Sequence, residues 1–251
     1  MLNLRSIKTQ LILFLLALAV FLISKDKDFS FLLAFTICVT TAVIAEAAVL
    51  YSKTRKLQIT ESAIIAGAIA GYVLSSDEVW WKLVAATTLV ILSKQAIRFR
   101  NKHVFNPAAL GLFLSVIVLG VSLQWKATYL WYVLVPFGIY LAHKIRKLEI
   151  VIGYAMVALL LFGTQAFVQK VPILNIFGYL SYFYIFIMVI EPKTTPTNVI
   201  SKYVFGALIA GLIFILTQSG ARFDVELFSL LVMNAAVPIL NKLLTKQGVS
   251  A

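Results

Sequence analysis

Ten apolar runs follow one another along this chain, each bounded by short polar or basic stretches. They cover residues of about 9–24, 29–51, 61–75, 80–97, 104–121, 127–142, 149–167, 174–190, 200–217 and 224–241. A run of roughly 20 apolar residues is what a helix needs to cross the hydrocarbon core of a bilayer. Hydrophobic residues make up 61% of the chain and charged ones 13%. A soluble domain has no interior large enough to hide that excess. The bilayer is therefore the expected solvent for most of the 251 residues. The spans leave no length for a soluble catalytic domain, so an ordinary soluble enzyme is excluded. Arg5 and Lys8 ahead of the first run resemble a signal peptide. No small-residue cleavage site follows before Lys25, so that run reads as an uncleaved first span.

Loop charge sets the orientation. With the N-terminus in the cytoplasm and ten alternating spans, sixteen of the 22 lysines and arginines fall inside. The outside holds Lys25, Lys27, Lys82, Lys126, Lys170 and Arg222, balanced by Asp26, Asp28, Asp77, Glu78, Asp224 and Glu226. That bias follows the positive-inside rule loop by loop. It puts both termini in the cytoplasm and discounts the net charge of +12 as a nucleic-acid signal.

Ten spans divide into five and five, residues 1–123 and 124–251. An odd number per half makes the second half enter from the opposite side, which is the condition for an inverted repeat. The third and eighth runs are the short ones, at matching places in the two halves. Interrupted segments so placed point to a site near the midplane. The expected fold is an all-α polytopic membrane protein with short or broken third and eighth spans.

The candidate residues are those that break the apolar rule. Asn106-Pro107-Ala108-Ala109 follows a basic loop and opens the fifth span. Asn suits an N-cap and Pro the first helical position. The alternative is an ordinary capped helix. Glu191-Pro192-Lys193-Thr194-Thr195-Pro196-Thr197 ends the eighth span. Non-helical backbone at membrane depth is tolerated only where protein buries it or it lines a cavity. The alternative is a plain cytoplasmic loop. Asn234 lies inside the last span, four residues before Pro238, and should face the protein interior as a site residue or as helix–helix glue. Glu46 lies near the cytoplasmic end of the second span, as an ion or proton site or as a partner of Lys53 or Arg55. Ala63, Gly67 and Gly71 have the spacing of close helix packing. One cysteine, Cys38, and two histidines give no set of metal ligands, and no catalytic residue is expected.

Taken together, four of these stretches resemble the membrane subunit family that includes NqrB of the sodium-pumping NADH:quinone oxidoreductase and RnfD of the related ferredoxin:NAD oxidoreductase. They are Glu61 to Leu74, Lys94-Gln95 with Phe105-Asn106-Pro107-Ala108-Ala109, Glu191 to Thr197, and Met233-Asn234-Ala235-Ala236-Val237-Pro238. They occur in family order over residues of about 60–241. The resemblance implies ten spans in two inverted halves, similar to urea transporters. It also implies a flavin and electron transfer coupled to sodium or proton movement.

Family members carry FMN on a threonine of a Ser-Gly-Ala-Thr motif. Here the nearest string is Ser219-Gly220-Ala221-Arg222. The expected cofactor is therefore riboflavin or FMN held without a covalent bond, near Asn106, Pro107, Ala108, Glu191, Thr194, Thr195, Thr197 and Asn234. Expected partners are the lipid bilayer, a cytoplasmic flavin reductase or other subunits of a redox complex, and quinone, but no nucleic acid. The competing reading is a small-solute or ion transporter of the same architecture without redox chemistry. Fold alone does not decide between them.

Overall fold

A computed structural model describes residues 6–96, 98–99, 102–172, 177–178 and 180–245. Arg5, Arg100, Asn101, Lys246 and the start of the eighth apolar run lie outside the described residues. Helices dominate: α1 Ile7–Asp26, α2 Phe29–Thr54, α3 Glu61–Val73, α4 Trp80–Ala96, α5 Pro107–Leu119, α6 Trp131–Lys144, α7 Leu148–Val168, α8 Val199–Gln218 and α9 Val225–Thr245. A π-helical segment, Tyr184–Val189, takes the place of the eighth run. Five helices are long and apolar enough to cross a membrane: α1, α2, α7, α8 and α9. The shortness expected of the third run is real, since α3 has 13 residues. It is shared by α5, also with 13, and by α6, with 14. Large apolar side chains such as Val20, Ile44, Met156, Leu160 and Phe167 point outward. A multi-pass membrane protein presents such a surface to lipid.

The chain forms two compact units. Unit 1 holds Met1–Arg98 and Pro107–Ala127, and unit 2 holds Phe99–Asn106 and Thr128–Ala251. In unit 1 the buried rings of Phe31, Phe35 and Tyr72 meet at 5.4 to 5.7 Å between centroids. The Tyr72 hydroxyl donates to the carbonyl of Leu15 at 2.6 Å, which ties α3 to α1. Asp28 caps α2 through the Phe31 N–H at 3.0 Å and pairs with Lys126 at 2.6 Å. Thr60 caps α3 through the Ala63 N–H.

The end of α3 lies within the protein, where its last carbonyls need donors. The connection after α5 supplies them. Lys126 N–H donates to Tyr72 O and Gln124 N–H to Val73 O, each at 2.8 Å, and Ser75 N–H reaches Ser122 O at 2.9 Å. A short third helix is thus stable because residues 122–126 run back along its extended continuation.

Small residues set the helix spacing. A Cβ on Gly111 of α5 would lie 2.2 Å from Val90 Cα in α4. Ala108 and Ala109 are buried at the start of the same helix. In unit 2 the contact of α7 with α8 is reciprocal. A Cβ on Gly153 would sit 2.2 Å from Tyr203 O, and one on Gly206 2.1 Å from Ile150 O. Backbone meets backbone there, so no rotamer change makes room. Gly206→Leu is expected to destabilise the folded protein by about 3 kcal/mol, the upper end for overpacking. A thermal melt in detergent followed by size-exclusion recovery measures it, and Gly211→Leu, where a Cβ meets nothing within 4 Å, should leave the melt unchanged.

Candidate functional site

Unit 2 contains a break in its secondary structure that begins at the π-helical segment and ends at the cap of α8. Pro192 starts the break, because it has no N–H and disfavours helix at Glu191 before it. Pro196 prolongs it. Asn198 ends it by accepting from Ile200 N–H at 2.8 Å. The freed backbone groups between are met by side chains from elsewhere in the unit. Asn106 Nδ2 donates to Met188 O at 3.0 Å. Asn234 Nδ2 donates to Thr194 O at 3.1 Å. Lys147 Nζ donates to Pro196 O at 2.6 Å. Asn241 Oδ1 accepts from Thr197 N–H at 3.3 Å. The two central amides are themselves joined, since Asn106 N–H donates to Asn234 Oδ1 at 2.8 Å. Thr195 folds the break on itself by donating to Glu191 O at 2.8 Å. Asn106, Thr194, Thr195 and Asn234 are all buried.

Two lysines hold the starts of α7 and α8 together. Lys202 Nζ reaches Arg146 O at 2.7 Å and the Glu149 carboxylate at 3.3 Å. Lys147, outside the membrane-spanning helices, is buried. Burial first, then the neighbouring Lys202, pushes its ammonium down to about 8, against a partial upward pull from Glu149.

Unit 1 contains the other polar cluster. The Glu46 carboxylate forms an ion pair with Lys94, and both side chains are largely covered. Thr60 Oγ donates to Glu46 Oε1 at 2.8 Å and Ser62 Oγ at 3.1 Å. Lys94 also reaches Ser62 O at 3.0 Å and Ser62 Oγ at 3.1 Å. Three oxygens around an ammonium make the surroundings of a small cation, and here the cation is the chain's own. The partner of Glu46 is Lys94, not Lys53 or Arg55.

The residues expected to form a binding site divide accordingly. Asn106, Glu191, Thr194, Thr195, Thr197 and Asn234 converge on one broken segment of unit 2. Pro107 is buried as the first residue of α5, its carbonyl accepting from Ser93 Oγ at 2.7 Å, and Ala108 serves the α4–α5 packing. Asn106 Nδ2 and Asn234 Nδ2 donate to backbone carbonyls, and the Thr194 hydroxyl donates to the Glu191 carboxylate at 3.5 Å. The groups that keep polar surface are Glu191, half-buried, and Thr197, exposed. Lys147, Lys202 and Asn241 were not legible as site residues, because in the sequence they look like the positive-inside charges and polar helix ends that flank any span.

These helices and the broken segment pinned by polar side chains define a multi-pass helical membrane protein. Within that class, the sequence profile of the NQR2, RnfD, RnfE family matches residues 2–133 and again 124–250, and the chain belongs to that family. It is 30% identical over 122 residues to the D subunit of the ion-translocating oxidoreductase complex of Yersinia enterocolitica serotype O:8 / biotype 1B, covering 46% of this chain and 34% of the relative. It is 39% identical over 57 residues to the protein of the same name from Tolumonas auensis, covering 23% of this chain and 16% of the relative. The matched stretches span about a third and a sixth of those relatives' lengths.

Two outcomes test this geometry. Asn234→Leu leaves Asn106 N–H and Thr194 O without partners, each worth roughly 1–3 kcal/mol when buried. It should lower stability by about 2–4 kcal/mol, measured by denaturation in detergent. Lys147 tests the electrostatics. Its folded-state value is depressed, so the unfolded chain binds the extra proton between pH 8 and 10.5 and stability rises across that window. The gain is at most about 3 kcal/mol. Lys147→Met should remove that rise, seen as a flattened profile of melting temperature against pH.

Proposed function

We propose that this chain is a membrane subunit of an ion-translocating redox complex that holds riboflavin or FMN without a covalent bond. Family membership is the observation that carries the reading, together with the relatives' role in ion-translocating oxidoreductase complexes. The break from Ile190 to Asn198, in which Thr194, Thr195 and Pro196 are buried and Pro192, Lys193 and Thr197 exposed, supports it as the place where a ligand would meet irregular backbone. On this reading Asn106, Asn234, Thr194 and Lys147 brace the segment, and Glu191, Thr197 and nearby backbone present the polar surface. A bound flavin would supply one- and two-electron chemistry, while the chain supplies binding, orientation and exclusion of water.

The reading extends to topology and partners. Ten apolar segments in two inverted halves, with both termini in the cytoplasm, account for the distribution of basic residues. The basic inner loops, including Lys144, Arg146 and Lys193, suit docking of an acidic reductase or a neighbouring subunit. Quinone is the electron acceptor that a bilayer provides. Coupling would be to sodium or proton movement.

The absence of Ser-Gly-Ala-Thr supports non-covalent attachment. Ser219-Gly220-Ala221-Arg222 forms the turn between α8 and α9, with Gly220 at φ +69°. The closure of the buried amides on backbone favours a second reading, a carrier of small solutes or ions without redox chemistry.

An absorbance spectrum of the purified protein, taken before and after denaturing precipitation, separates these possibilities. A flavin band released to the supernatant is expected. Flavin retained by the pellet would refute non-covalent attachment. A protein that stays colourless after incubation with riboflavin and FMN would remove the redox reading and leave the carrier.

A further inference from the structure

At 26 residues, α2 overshoots what a bilayer core requires. Between its N-cap Asp28 and Glu46 it runs about 27 Å, close to the roughly 30 Å of hydrocarbon. Asp28 pairs with Lys126 at one limit and Glu46 with Lys94 at the other, so charged pairs bracket that length. Residues 47–54 carry the helix about 12 Å further, to the depth of the lipid headgroups. It stops at Arg55, which lies in the left-handed region at φ +57° and whose N–H donates to Tyr51 O at 2.9 Å. An irregular stretch then leads to Thr60, the cap of α3.

Every residue from Tyr51 to Ile59 is exposed. The stretch carries Lys53, Arg55 and Lys56, and no acid lies between Glu46 and Glu61. None of the four ion pairs among the described residues uses Arg55 or Lys56. Large apolar side chains flank these cations: Tyr51 is 48% exposed, Leu57 78% and Ile59 69%. The helix dipole accounts for Lys53, in the last turn of α2, but not for Lys56, Leu57 and Ile59 beyond it. Cations alone would suit any anionic partner. Leu57 and Ile59 narrow the choice, because in water they are a cost, while at the boundary of headgroups and acyl chains their burial is a gain. A polybasic stretch beside a membrane-spanning helix attracts anionic lipid, and apolar side chains among its cations insert just below the phosphates.

We propose that residues 51–59 of unit 1 form a binding site for anionic phospholipid. Lys53, Arg55 and Lys56 bind the lipid phosphates, and Tyr51, Leu57 and Ile59 anchor the stretch at the top of the acyl chains. A cation near an anionic lipid surface strengthens association roughly fivefold. Three of them give the segment a strong preference for anionic over zwitterionic headgroups. This site needs α2 to cross the membrane and needs no flavin, so it stands or falls apart from the redox reading.

The test exposes the full-length protein in detergent to phosphatidylglycerol and phosphatidylcholine of matched chain length, and native mass spectrometry counts the lipids retained. Phosphatidylglycerol should be retained at least tenfold better. The combined change Lys53→Gln, Arg55→Gln and Lys56→Gln should remove most of that preference. Leu57→Ser with Ile59→Ser should weaken retention several-fold at unchanged charge. All five residues are exposed, so both variants should keep the melting temperature of the parent. A polarity-sensitive fluorophore on Gln58→Cys, in a Cys38→Ala background, locates the segment. Its emission should shift to the blue in nanodiscs containing phosphatidylglycerol, relative to phosphatidylcholine alone, and high salt should reverse part of the shift. Equal retention of the two lipids, or a charge-free variant that keeps the preference, would overturn the site. So would a label that stays in water in the anionic nanodiscs, or a loss that follows the charges and ignores Leu57 and Ile59. Either of those last outcomes would assign the cations to an acidic protein partner.

Discussion

Every N–H and C=O that leaves water in this protein has to find a partner inside it, and the shape of both units follows from where helices stop short of doing so. A complete helix satisfies its own backbone. The helix α3 and the segment after Val189 do not continue, and their exposed groups are the main debt of the fold. Unit 1 meets it with backbone, as Gln124 and Lys126 N–H groups bond the carbonyls of Val73 and Tyr72. Unit 2 meets it with side chains: Asn106, Asn234, Lys147 and Asn241. The difference has a mechanical consequence. A backbone ladder is indifferent to side-chain identity, whereas the unit 2 brace depends on a few particular amides and one ammonium.

The same logic governs charge. A lysine buried near Glu46 or Glu149 is tolerable because ammonium and carboxylate cancel and their remaining hydrogen-bonding groups are met. Lys94 has three oxygen neighbours for this reason. Lys147 is the exception on the basic side, bonded to a neutral carbonyl and crowded by Lys202, which is why its ammonium is weakened. Glu226 has a buried carboxyl oxygen and no lysine partner among the described residues. Both groups sit against the π-helical and broken segments of unit 2, where side chains from three or more elements converge. Departures from pairing collect where the fold is least regular, as expected where irregular backbone carries function.

Much of the fold was legible in the sequence because it depends on local pattern. Apolar run length located α1 to α9 within a few residues but not the π-helical segment Tyr184–Val189, Pro107 marked the start of α5, and Pro192 and Pro196 marked the break. Gly67 and Gly71 signalled close packing, and close contacts with α2 are what they serve. What was not legible depends on partners distant in sequence. Glu46 has Lys53 and Arg55 nearby along the chain, but a helix presents them elsewhere, and Lys94, 48 residues away, takes the bond. The Val121–Ala127 stretch reads as a plain connection, since nothing in its composition says that it runs beside α3. Of the expected site, the convergence of Asn106, Glu191–Thr197 and Asn234 was foreseeable from their polarity in apolar surroundings. Their orientation toward backbone was not, because an amide in a sequence looks the same whether it faces a ligand or a carbonyl.

That ambiguity bears on how a family site can change its chemistry. The amide pair of Asn106 and Asn234 holds the break in place whatever the break faces, so selection on stability alone can retain both residues. A chain can then lose a covalent cofactor attachment and keep the rest of its polar motif intact. Motif resemblance in this region therefore speaks first to the broken architecture and only second to the ligand. A group with no structural duty is the better witness to function. In unit 2 the Glu226 Oε2 and the Ser229 hydroxyl are buried, hold no backbone and neutralise no lysine among the described residues.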